Sequence, residues 1–148
     1  MELTIRPSQR TERPAVKPTL IALLLAAAGP ACAQSCATVE VDNVRPQQGH
    51  LMVAAFGTAE TYGKAPMVSL RLPAGEAVMR FQLCGVNGDV IALRLFQDLD
   101  SDGKMGTNLL GLPTEPWGSS GTPGTFGPTW DTGKVALDGS AIKVRMSQ

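Results

Sequence analysis

Histidine is nearly missing from this chain, with His50 the single one in 148 residues. No G-x-S-x-G elbow accompanies it, so a serine–histidine–acid triad has no ready-made nucleophile. His50 opens a candidate strand after a turn and reads as an exposed structural residue. Past the first 33 residues clustered lysines and arginines are also lacking, and the formal net charge of the whole chain is zero. That balance argues against nucleic acid and anionic membrane surfaces as partners. No apolar run reaches the roughly 20 residues that cross a bilayer. No window past the first 33 residues holds a 3.6-residue apolar period, so amphipathic helices are not expected.

What is present begins with a leader. Arg6, Arg10, Arg13 and Lys17 precede the apolar run Leu20 to Ala28, and Ala31-x-Ala33 supplies small residues for cleavage. These three parts predict a secretory signal peptide over 1–33, followed by one domain over 34–148 in the periplasm or outside the cell. Lipidation at Cys32 is the competing reading, but Gly29 stands where such signals prefer leucine. Cleavage leaves Cys36 and Cys84, and an even pair in an exported chain predicts a disulfide. A metal or redox pair of Cys32 with Cys36 would need the residue that cleavage removes.

The remainder reads as short strands. Residues 37–45 alternate, with Val39 and Val41 on one face; residues 50–56 are apolar on both faces, as in a central strand. Further strands are expected over 67–72, 76–84 and 89–96, the last with Ile91, Leu93 and Leu95 inward and Arg94 outward. Two more cover 134–137 and 141–146. Gly85-Val86-Asn87-Gly88 and Asp138-Gly139-Ser140 read as hairpin turns. The fold class is therefore all-β, an antiparallel β-sandwich of about seven strands with one long irregular loop. Immunoglobulin-like and transthyretin-like topologies both fit, and either brings Cys36 near Cys84.

Chemistry concentrates in that loop, residues 97–128. Asp98, Asp100 and Asp102 alternate and Gly103 turns the chain back, so their oxygens converge as calcium requires. A backbone carbonyl from Lys104 and the side-chain oxygen of Asn108 complete the candidate ligand set. Leu109 stands where an EF-hand places its bidentate glutamate, and Gly106 at the ninth position, so an EF-hand is rejected. Weak calcium binding, about 10⁻⁴–10⁻³ M, is the expectation. The competing reading is a structural turn in which aspartates accept backbone N–H groups.

Glu115, Trp117, Phe126 and Trp130 form a candidate binding surface, as a stacking platform for a glycan or as aromatics pinning the loop to the sheet. Glu115 paired with the aspartate cluster would suit glycoside hydrolysis. Asp131 is expected to cap or precede the next strand.

The run from Phe96 to Met105, then Thr107 to Gly118, with Phe126-Gly127-Pro128 after it, resembles a bacterial family of exported β-proteins. That family is known as domain of unknown function 2141. Its members carry F-H-D-x-N-x-N-G-K-L-D-T-N, then G-x-P-x-E, an aromatic and glycine, and later F-G-P-P. Gln97 replaces the family's histidine, aspartates replace its asparagines, and Gly106 replaces a common aspartate. The resemblance implies a periplasmic or secreted sandwich and transfers no catalytic residue. The expected role is a non-enzymatic module that binds a cell-envelope protein or glycan through the 97–128 loop, stiffened by calcium. The alternative is a small periplasmic hydrolase or ligand-binding protein using Glu115 and the Asp98/Asp100/Asp102 cluster.

Overall fold

The computed structural model describes residues 35–124 and 127–147. The expected signal peptide and Phe126 lie outside the described residues. Eight strands and one helical turn make up the rest: β1 (Cys36–Asp42), β2 (His50–Phe56), β3 (Val68–Pro73), β4 (Val78–Cys84), β5 (Val90–Asp98), β6 (Trp117–Ser119), α1 (Trp130–Gly133), β7 (Lys134–Ala136) and β8 (Ile142–Arg145). They form a sandwich of a three-stranded sheet, β4-β1-β8, and a five-stranded sheet, β3-β2-β5-β6, in which β7 also pairs with β5. The far edge of β5 is shared, β6 lying along residues 94–96 and β7 along residues 90–92.

The period-two pattern builds this core. Val39 and Val41 of β1, Leu51, Val53 and Ala55 of β2, Leu83 of β4, and Ile91, Leu93 and Leu95 of β5 are buried between the sheets. Ile142, Val144 and Met146 close one side. Burying side chains of this size contributes roughly 1.5–3 kcal/mol each.

Three expectations need correction. The two central Asn-Gly and Asp-Gly turns are not hairpins. Residues 85–89 join β4 of one sheet to β5 of the other, and residues 137–141 join β7 to β8 in the same way. The left-handed φ that glycine supplies at Gly88 and Gly139 serves an arch between layers as well as a hairpin. Pairing is also not wholly antiparallel, because β8 lies parallel to β1, Val41 opposite Val144. Finally, residues 130–133 form a helical turn with Thr129 as its cap, its side chain accepting from the Thr132 N–H. Asp131 sits inside that turn and pairs with Lys134 at 2.8 Å.

The disulfide joins Cys36 to Cys84, which face each other at the end of the β1–β4 ladder. The turn between β1 and β2 folds tightly onto the end of β5. A Cβ on Gly49, whose φ is +60°, would lie 1.9 Å from the Asp98 carbonyl oxygen, so only glycine fits there.

Candidate functional site

The long loop leaves β5 at Asp98 and returns to it as β6, and hydrogen bonds organise it along its whole length. Gln97, fully buried, ties its start to the β1–β2 turn. Its side-chain NH₂ donates to the Arg45 and Gln48 carbonyls at 2.7 and 2.6 Å, and its oxygen accepts from the Arg45 N–H at 2.9 Å. Every polar atom of the amide is thereby used, as a buried amide requires. Gln97 is thus a structural clamp.

Next comes the acidic turn. Asp98 Oδ2 accepts from the Gly103 N–H at 3.0 Å, Asp100 Oδ1 from Asp102 at 3.2 Å and Asp102 Oδ1 from Lys104 at 2.7 Å. These are the Asx bonds of the structural reading. They do not satisfy the whole cluster. Asp98 is fully buried, and its Oδ1 has no hydrogen-bond partner in the structure. One carboxylate oxygen from each of Asp98, Asp100 and Asp102 lies within 4.8 Å of the others. A buried carboxylate oxygen left unpaired costs free energy unless something else meets it.

The surroundings are partly basic. Arg71 reaches Asp98 Oδ2 at 4.0 Å and His50 Nδ1 at 3.1 Å, and His50 Nδ1 lies 3.3 Å from Ser101 Oγ. A contact at 4.0 Å from a half-exposed guanidinium contributes little.

Beyond the turn, Glu115 locks the loop shut. Its Oε1 accepts from the Leu99 N–H at 2.7 Å and its Oε2 from the Gly106 N–H at 2.8 Å. A Cβ at Gly106 would meet Thr114 Oγ1 at 2.7 Å and the Glu115 side chain beyond it. The residue that breaks the calcium pattern thus makes room for the clamp. Asn108 serves the tip instead of the acidic turn, its Oδ1 accepting from the Leu110 and Leu112 N–H groups at 2.9 and 3.0 Å. The tip so formed leaves Leu109 and Leu110 fully exposed and Leu112 largely so.

The aromatics separate. Trp117 lies in β6 opposite Phe96, whereas Trp130 packs edge-on against Tyr62, 6.3 Å between ring centres. They do not share one platform. Burial raises the Tyr62 hydroxyl above its ordinary range, and the nearby Arg94 charge partly opposes this.

The loop also roofs the outer face of the five-stranded sheet. A cleft of about 840 Å³ opens there, with Met52, Phe96 and Trp117 among its lining, Met105, Leu112 and Pro113 from the loop, and Arg71 and Arg94. Sequence reasoning missed both this cleft and the bare leucines. The available signal was β2, apolar on both faces because both are covered.

Residues 39–145 match a family described as an uncharacterised protein conserved in bacteria (DUF2141). No curated protein and no solved structure matches the chain. The chain belongs to that bacterial family.

Proposed function

We propose that this member of the family is an exported, non-enzymatic binding module whose 97–128 loop is its contact surface in the cell envelope. The observation that carries the reading is the loop tip, where Leu109, Leu110 and Leu112 face solvent on a backbone tied by internal hydrogen bonds. Apolar side chains held outward by an ordered loop mark interaction surfaces more often than chance exposure does. Such a tip favours an apolar patch on a partner protein over a glycan. A photo-reactive amino acid placed at Leu110 should give one discrete adduct in cells, which Leu109→Ser with Leu112→Ser abolishes. An adduct pattern equal to that from exposed Asp138 would sink the reading.

Calcium stiffens the loop in this proposal, held by Asp98, Asp100 and Asp102 with the Lys104 carbonyl. The unpartnered Asp98 Oδ1 supports it, since a cation would satisfy that oxygen. Calcium at ten times its dissociation constant should add about 1.4 kcal/mol of stability, read as a raised melting temperature. Asp100→Asn, on the exposed side of the cluster, should weaken this response while preserving the fold in EDTA. Absence of both calorimetric heat and thermal shift in the unaltered protein would remove calcium and leave a structural Asx turn.

The hydrolase alternative has less support. Both oxygens of Glu115 are engaged by backbone N–H groups in a buried position. A general acid or base needs an oxygen that reaches substrate.

A further inference from the structure

The cleft on the outer face of the five-stranded sheet has a chemistry of its own. Strand register sets Arg71, Met52, Phe96 and Trp117 side by side in one row across β3, β2, β5 and β6. The next row places Arg94 between Ala54 and Ser119. Side chains on this face point away from the sandwich core, so the apolar members of the row are not needed to hold the sheets together. The loop covers them with Met105, Leu112 and Pro113, leaving about 840 Å³ between floor and roof. That volume falls in the range of small-molecule sites, which are mostly apolar with a few convergent polar groups.

The charged groups here are of one sign. Among the described residues no carboxylate lines the cleft, while two guanidiniums do. Arg94 has no carboxylate within ion-pair distance among the described residues and lies over the Tyr62 ring at 5.7 Å. Arg71 has only the 4.0 Å approach to Asp98. Guanidiniums present forked donors that suit a carboxylate. From this combination we infer that the cleft binds a small amphipathic carboxylate, its apolar body along Met52, Phe96 and Trp117 and its anionic end at Arg94 near Tyr62. Arg71, turned the other way towards His50 and Asp98, adds positive charge only at the far end.

The inference shares the loop with the reading above and one residue of it, Leu112, which stands in the tip and also lines the cleft. The leucine tip serves the partner protein, whereas the cleft serves a small molecule. Dodecanoate and dodecanol are suitable probes, matched in chain length and differing in charge. Trp117 reports binding by fluorescence in a Trp130→Phe background, since Trp117 lines the cleft and Trp130 does not. In EDTA, dodecanoate should bind about tenfold more tightly than dodecanol, the difference a charge-assisted pair brings. Arg71→Gln with Arg94→Gln should remove that preference and leave dodecanol binding unchanged. Arg94 is exposed and the Arg71 side chain half-exposed, so the fold should survive their loss.

A second readout is built in, because Tyr62 is the only tyrosine of the chain. The positive charge of Arg94 lowers the Tyr62 hydroxyl, so an anion bound at Arg94 should raise it further in an ultraviolet titration. Leu109→Ser with Leu110→Ser should leave dodecanoate binding intact, since neither side chain lines the cleft. Equal affinity for the two probes, or dodecanoate binding indifferent to both arginines, overturns the inference.

Discussion

Glu115→Ala should lower the stability of the domain by about 3 kcal/mol or more. Two backbone N–H groups, from Leu99 and Gly106, lose their acceptor, and each bond to a carboxylate contributes about 1.5–3 kcal/mol. The residue is buried, so water does not simply replace the carboxylate. Glu115→Gln keeps one acceptor oxygen and turns an NH₂ towards the other donor, so about half the effect should remain. Equilibrium unfolding in urea measures the loss, and hydrogen exchange at Leu99 and Gly106 locates it. If the alanine variant unfolds at the same denaturant concentration as the parent, the clamp is not structural and a catalytic role for Glu115 regains its case. Because the clamp closes the segment that starts at the acidic turn, the calcium-dependent rise in melting temperature proposed above should shrink along with it.

The second large effect belongs to the disulfide. Replacing Cys36 and Cys84 together by serine should cost about 4 kcal/mol on the loop-entropy estimate for a 48-residue separation. For a domain of this size that corresponds to a drop in melting temperature on the order of 15 °C. Both cysteines are exposed at the end of the β1–β4 ladder, so little core packing is lost with them. The constraint acts mainly on the unfolded chain, joining the start of β1 to the end of β4. Scanning calorimetry of the oxidised and reduced protein gives the same comparison without mutation. A loss below about 1 kcal/mol would mean that the ladder alone sets the stability of this edge.

Much of the site's chemistry was visible in residue order, but its division of labour was not. The Asp98/Asp100/Asp102 alternation marks a convergent turn from sequence, and the oxygens do converge. Nothing local marks Asp98 as the buried member with an unpaired oxygen. That follows from its place at the end of a central strand, under Gly49 and beside Gln97. Glu115 lies 16 residues from Leu99, and only the closed loop makes them partners. Trp117 and Trp130 are near in sequence yet part company, because β6 carries one onto the sheet face while the other packs on Tyr62.

The sequence by itself determined seven of the eight strands, the inward side chains and the cysteine pair, and missed β6 inside the stretch read as irregular loop. Each depends on local alternation, turn residues or simple counting, which act over a few neighbours. Tertiary structure alone decided that Asn-Gly and Asp-Gly turns arch between sheets, that β8 runs parallel to β1, and that a loop roofs an apolar row ending in Arg71. Glycine's freedom permits a hairpin and an arch alike, and strand partners are chosen by burial across the whole core. A cleft between floor and roof exists only once segments distant in the chain are brought to the same place.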